Sequence, residues 1–293
     1  MSDIRSELSA FREEDAASLV ERETGLILSR CRRQETPRAI LLAGQPGAGK
    51  TELSTMLISQ FGGDAAFING DDYRRYHPNY HRLYTQYGSD SVSMTSAFSS
   101  AVTERLIRNL SDSGVNLVVE GTGRTVEVPQ STAESLTAKG YTVEMAVIAA
   151  RPEVSLSSTL RRFYQMNERG TIPRATALAA HDLVVEALPA NLDTLLSLSC
   201  VSRICIWDRD LRQLFGSRVS SSRPSDVLRN YWSRPWTEHE VRDIQRQIEW
   251  LRRQEEISGL GQAVTLDLLA RRVQTAVQAD RPHPGQTAAI PPP

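Results

Sequence analysis

Eight residues, Gly44-Gln45-Pro46-Gly47-Ala48-Gly49-Lys50-Thr51, match the pattern G-x-x-x-x-G-K-[ST] in full. They follow the apolar run Ala39–Ala43, which reads as a buried strand, and lead into Glu52-Leu53-Ser54-Thr55-Met56-Leu57-Ile58, with apolar residues at helical spacing. Strand, glycine-rich turn and helix is the setting in which this pattern cradles phosphate. Glycines let the backbone wrap an anion so that its N–H groups point inward, and the helix adds its positive N-terminal end. All eight residues, Gly44 to Thr51, are therefore candidates for binding a nucleoside triphosphate. Lys50 supplies a cation for the β- and γ-phosphates, and the Thr51 hydroxyl is a candidate ligand for Mg²⁺. Lys50 and Lys139 are the only lysines among 34 basic side chains, so arginine serves nearly everywhere except where the phosphate loop requires lysine.

Beyond the loop, short apolar runs alternate with longer helical segments. Strands are expected at Ala39–Ala43, Ala65–Ile68, Asn116–Glu120, Thr142–Ala149 and Arg203–Trp207. Helices are expected at Lys50–Gln60, Ser93–Ser113, Gln130–Lys139, Glu153–Glu168 and Thr176–Leu188. This alternation implies an α/β fold, a parallel sheet flanked by helices, whose ligands bind at the carboxyl ends of the strands. Residues 1–36 are charged and helix-forming, with Leu8, Phe11, Leu19, Leu26 and Ile27 as an apolar stripe. The kinase-like core is expected over 37–216 and a helical extension over 217–278. In that extension Thr237-Glu238-His239-Glu240 reads as a capping box, followed by Val241, Ile244, Ile248 and Leu251 on one face. The Pro-rich stretch 279–293 reads as a disordered tail.

Composition bounds the partners. At 40% hydrophobic and 24% charged residues with net charge −1, the chain reads as soluble and globular, with no electrostatic case for nucleic acid or a membrane surface. No apolar run approaches the roughly 18 residues of a membrane span. Cys31, Cys200 and Cys205 lack zinc or disulfide spacing, and the N-terminus lacks a secretory core, so the cytoplasm is the expected compartment.

Three polar clusters fall after predicted elements. Asn69-Gly70-Asp71-Asp72 follows the second strand, where a carboxylate is placed to accept a proton from a substrate hydroxyl, although the same residue types also make turns. His77 and His81 are four apart and have no third ligand in register, which argues against a metal site. Glu120-Gly121-Thr122-Gly123-Arg124 closes the third strand and offers hydrogen bonds to a polar acceptor. Arg161-Arg162 and Arg169-Gly170-Thr171-Ile172-Pro173-Arg174 place arginines at a helix end and a Gly/Pro loop. That is the composition of a mobile lid which binds the transferring phosphoryl group, or of a solvated arginine face.

These clusters, in this order, resemble the zeta toxins, P-loop kinases of bacterial toxin–antitoxin systems. The matching stretches are GQPGAGKT, NGDDYRRYHPNY, LVVEGTGRTVEVP and PRATALAAHDLVVEALPANL, and the similarity runs from about Ala39 to Leu214. The resemblance implies ATP and Mg²⁺ as cofactors. It implies phosphorylation of the 3′-hydroxyl of a UDP-activated amino sugar, typically UDP-N-acetylglucosamine, whose product blocks cell-wall precursor synthesis. It further implies Asp71 as the catalytic base, with Lys50, Arg162 and Arg174 in phosphoryl transfer. Glu104, Glu120, Thr122, Arg124 and Thr132 would line the sugar-nucleotide pocket, and a helical antitoxin protein would cover the ATP site. Two departures stand out: Gly70 replaces the family's Asn, and the loop before Arg174 is one residue shorter. Residues 1–36 are either a helix that completes the fold or a built-in inhibitor. The competing functions are a kinase of another small molecule, such as a nucleotide or antibiotic, and an inactive NTP-binding scaffold. A GTPase is excluded by the absence of N-K-x-D.

Overall fold

Apolar residues in the predicted strands come in unbroken runs because both faces of the sheet are covered. The computed structural model describes residues 2–171, 173 and 175–279. Within them the chain forms two units, which divide between Trp232 and Ser233.

In the first unit, helices α1 (Ser2–Ser9) and α2 (Glu13–Leu28) precede strand β1 (Arg38–Ala43) and helix α3 (Lys50–Ser59). Strand β2 (Ala66–Asn69) runs directly into the short helix α4 (Gly70–Tyr73). After a 3-10 turn come α5 (Tyr80–Tyr87), α6 (Ser91–Met94) and α7 (Ser96–Asp112). Then follow β3 (Leu117–Glu120), α8 (Glu127–Ala138), β4 (Thr142–Ile148), α9 (Pro152–Glu168), α10 (Leu178–Leu196), β5 (Arg203–Trp207), β6 (Gln213–Gly216) and α11 (Pro224–Ser233). The sheet order is β2-β3-β1-β4-β5-β6. The first five strands pair in parallel, and β6 returns antiparallel beside β5. β1 is central, so the phosphate loop that leaves it opens at the middle of the carboxyl edge.

Burial follows the pleat. Ala39, Leu41 and Ala43 face a core shared with Phe98, Val102, Leu106 and Leu110 of α7, spaced four apart on one helical face. Ile40 and Leu42 face the other side, against Leu53 and Leu57 of α3. Each fully buried aliphatic side chain contributes about 1.5–3 kcal/mol. Helix α2 packs on α7 and places Ala16, Leu19 and Val20 in the main core. Residues 1–36 are thus partly a structural layer of the fold.

Two elements depart from the sequence expectation. α10 continues through Pro189 to Leu196 instead of ending at Leu188. Proline lacks an N–H and disfavours the turn before it, but Leu188, Pro189, Leu192 and Leu195 are buried, and that packing overrides the local preference. β6 was not anticipated, because its four residues carry no alternating pattern and pair only through the turn after β5. His77 and His81 do not share a helix, since His77 precedes α5.

The second unit contains α12 (Glu238–Ser258) and α13 (Ala263–Ala279). The capping box is present: Thr237 Oγ1 accepts from Glu240 N at 3.2 Å, and Thr237 N donates to Glu240 Oε2 at 2.9 Å. Ile244, Ile248 and Leu251 are buried, as are Leu266, Leu269 and Val273 of α13. The Pro-rich stretch lies outside the described residues apart from Ala279, which ends α13. Among the described residues no helix is long and apolar enough to cross a membrane, and the three cysteines are free thiols.

Candidate active site

The phosphate loop closes tightly against its neighbours. Gly47 (φ +77°) and Gly49 (φ +107°) take up backbone angles that L-residues rarely adopt. A methyl group on Gly47 would sit 2.1 Å from the carbonyl oxygen of Ser155 in α9, so only glycine fits there. The amides of Gly47 and Gly49 make no hydrogen bond among the described residues. They are therefore available to phosphate oxygens at the N-terminus of α3. Ala48 is buried and its amide donates to Gln45 O at 3.1 Å, Gly44 N donates to Thr122 O at 3.3 Å, and Pro46 is half-buried. Thr51 is exposed in the first turn of α3.

Lys50 folds back over the loop. Its Nζ donates to Gly44 O at 2.9 Å and to Gln45 O at 3.3 Å, and lies 3.8 Å from Glu120 Oε1 at the end of β3. Burial lowers the Lys50 pKa, opposed by the charges of Glu120 and Asp71. Burial likewise raises that of Glu120, opposed mainly by Lys50. For both groups desolvation outweighs the pair attraction.

Asp71 sits in the first turn of α4, capped by Asn69, whose Oδ1 accepts from Asp71 N at 3.1 Å. Its carboxylate is 64% exposed and pairs with Arg74 Nε at 2.7 Å. Asp71 and Arg162 both act electrostatically on Lys50, and Asp71, Asp72 and Arg162 on Glu120. Lys50 and Glu120 thus meet at the carboxyl edge of β1 and β3, near enough to Asp71 and to Arg162 of α9 for both to feel their charges. Thr122 joins through the Gly44 amide, while its hydroxyl accepts from Arg124 N at 3.3 Å, shaping the loop. Arg124 and Glu104 are exposed, Glu104 on α7 and Arg124 on the loop before α8. The Thr132 hydroxyl is turned back onto its own helix, donating to Val128 O at 2.9 Å. Arg174 lies outside the described residues, as does Ile172 of the same loop.

The profile of the zeta toxin family matches residues 24–220. The chain belongs to that family. It is 40% identical to toxin PezT of Streptococcus pneumoniae over 212 residues, 71% of this chain and 83% of PezT. It is 38% identical to toxin zeta of Streptococcus pyogenes over 217 residues, 73% of this chain and 76% of that toxin. A structure from the PezAT chromosomal toxin–antitoxin system of S. pneumoniae superposes with a TM-score of 0.77 at 33% identity, covering 84% of this chain and 99% of that one. AvrRxo1-ORF1:-ORF2, solved with ATP, shares the fold at a TM-score of 0.54 and 11% identity, over 90% of this chain and 89% of the other.

Gly70 packs closely on α7. A methyl group there would meet Thr103 Oγ1 at 3.0 Å and Ser99 Oγ at 3.3 Å, and Ser99 donates to Gly70 O at 2.6 Å.

Ser155, His181 and Arg209 are three contributors that the sequence did not single out. The side chain of Gln45, a candidate ligand residue, is buried: Nε2 donates to Ala150 O at 2.7 Å and to Ser155 Oγ at 3.3 Å. His181 Nε2, from the HDLVVEALPANL stretch, lies 2.8 Å from the same Ser155 Oγ. This buried His181–Ser155–Gln45 chain ties α10 and α9 to the back of the phosphate loop. Arg209, in the turn between β5 and β6, donates from Nη1 to Ser158 Oγ at 3.2 Å. Its Nε would lie 3.9 Å from a methyl group on Gly49, so it stands beside the loop. Only the Gly-rich pattern pointed near these residues; pairings 26 to 110 positions apart leave no local signal.

Proposed function

We propose that this zeta-family chain is a toxin kinase that transfers the γ-phosphate of ATP to the 3′-hydroxyl of a UDP-activated amino sugar, UDP-N-acetylglucosamine, and so blocks cell-wall precursor synthesis. The observation that carries the reading is the meeting of Lys50, Asp71, Glu120 and Arg162 beside a phosphate loop with two uncommitted amides. The names and the toxin–antitoxin setting of its relatives support the toxin role. Catalysis belongs to residues 37–216 in the cytoplasm, with 217–278 as a helical extension and 279–293 as a tail. A helical antitoxin protein is the expected partner over the ATP site.

In this mechanism the amides of Gly47 and Gly49 and the N-terminus of α3 hold the β- and γ-phosphates. Lys50 leaves the Gly44 and Gln45 carbonyls for phosphate oxygens, trading neutral acceptors for charged ones. Asp71 takes the proton of the acceptor hydroxyl as its oxygen bonds to the γ-phosphorus. The bond from that phosphorus to the β–γ bridging oxygen breaks, and ADP leaves. Arg162, with Arg174 in the role the resemblance implies, offsets the charge spread over the transferring group. Glu104, Glu120, Thr122, Arg124 and Thr132 are the proposed acceptor contacts. Mg²⁺ fits the donor set, since the exposed Thr51 hydroxyl offers one hard oxygen. Such an ion is held mainly by phosphates and water, with few protein oxygens such as this one. When bound it would neutralise phosphate charge.

Purified protein with ATP, Mg²⁺ and a panel of UDP-sugars tests the reading. Transfer to UDP-N-acetylglucosamine is expected, with loss of activity in Lys50→Ala and Asp71→Asn. Undiminished transfer in Asp71→Asn refutes the base assignment. Consumption of a different metabolite in place of every UDP-sugar promotes a kinase of another small molecule.

A further inference from the structure

Arg74 binds Asp71 in a way that an ordinary helical ion pair does not. Two exposed charges three residues apart on a helix contribute little, because each side chain is free to move. Here the arginine is clamped. Its side chain is 15% exposed against 64% for Asp71, and Nε donates to Asp71 Oδ1 at 2.7 Å. Its Nη1 donates to Val92 O at 2.7 Å and to Thr95 Oγ1 at 3.3 Å, at the junction of α6 and α7. Thr95 is fully buried, and its hydroxyl donates to Ser91 O at 2.9 Å. Ser99, one turn later, donates from Oγ to Gly70 O, the residue before Asp71. The guanidinium thus closes a ring of bonds from α4 to α7.

We propose that Arg74 is a positioning residue for phosphoryl transfer, fixing the plane of the Asp71 carboxylate through Oδ1. The inference rests on the reading of Asp71 as the base. The charges around Asp71 make the role specific. Lys50 of α3 and Glu120 of β3 both feel the Asp71 charge, and Arg162 of α9 and the adjacent Asp72 act within the same group of side chains. On α7, which packs against α4, Glu104 is a further exposed carboxylate. Removing Arg74 takes away the cation bonded to Oδ1, so the Asp71 proton is expected to be held to higher pH in the variant than in the wild-type chain. The carboxylate also loses the bond that sets its plane, which shifts the base.

The test compares Arg74→Gln and Arg74→Lys with the wild-type chain, using ATP and UDP-N-acetylglucosamine. Arg74→Gln is expected to lower kcat by about 10–100-fold, leave KM for ATP unchanged and move the acid limb of the pH–rate profile up by about one unit. Arg74→Lys is expected to restore the acid limb, since the charge returns, and to recover kcat only in part, since one ammonium cannot reproduce the fork. Independently of any acceptor, the ¹³C carboxyl titration of Asp71, assigned with Asp71→Asn, is expected to move the same way. A purely structural role predicts that kcat follows the melting temperature in both variants and that the Asp71 titration stays put; that result overturns the proposal. Full activity in Asp71→Asn instead overturns the base assignment, a separate failure that the titration does not share.

Discussion

Gly47→Ala tests the close approach of α9 to the phosphate loop. Two costs follow from the geometry. The φ of +77° places alanine in the left-handed region, at about 1 kcal/mol. The new methyl would stand 2.1 Å from Ser155 O and 2.9 Å from Thr159 Cγ2. The first contact is a backbone oxygen held in a helix, so no rotamer change relieves it, and overpacking of this kind costs about 1–3 kcal/mol. The total is about 3 kcal/mol, equivalent to roughly 6–12 °C in melting temperature for a chain of this size. Gly63→Ala is the control: its φ is +83° but nothing lies within 4 Å of the new methyl. It is expected to lose only the conformational part, about 2–4 °C. Calorimetry on both variants, with ATP titration by isothermal calorimetry, separates the effects. Gly47→Ala should also bind ATP more weakly, because the loop must move off α9. Equal melting temperatures for the two variants, or wild-type ATP affinity in Gly47→Ala, would refute the argument.

Phe98→Ala removes a side chain 1% exposed, with its ring edge-on to Phe11 at 5.2 Å and to His77 at 5.4 Å. Chemical denaturation should show a loss of about 3–5 kcal/mol. Deleting residues 1–36 exposes the α7 face now covered by Ala16, Leu19 and Val20, so the melting temperature should fall. A gain in kinase rate with unchanged stability would instead favour a built-in inhibitor. Glu240 is held down to about 2, first by the hydrogen bond from Arg234, against an ordinary value of 4.5. Because the folded value is the lower one, its stabilisation is complete above about pH 4.5 and is lost as pH falls toward 2. Glu240→Gln should flatten that part of the stability–pH curve measured by circular dichroism. Thr237→Ala removes the cap of α12 and should cost about 1 kcal/mol in the same assay.

Much of this protein was legible before any coordinates. The loop from Gly44 to Thr51 could be read because its chemistry is carried by eight consecutive residues, and backbone angles there depend on local glycines. The five parallel strands and their helices showed through because hydrophobic periodicity is a local consequence of burial. Asp71 and Glu120 stood out because strand ends in such a sheet face the ligand side. The end of α10, by contrast, is expected at Leu188, before Pro189, but buried Leu192 and Leu195 overrule proline's local preference. β6 was invisible because four residues paired through a turn carry no period.

What the sequence by itself determined is the chemical vocabulary: a phosphate cradle, one lysine, a carboxylate after β2 and an acidic strand end after β3. Tertiary structure alone decided how these are combined. It set Lys50 against Glu120, clamped Arg74 between Asp71 and the α6–α7 junction, and ran Gln45, Ser155 and His181 together behind the loop. The physical reason is that burial and charge pairing depend on distance in space. Residues 18 to 110 positions apart acquire their energies only when the fold brings them together.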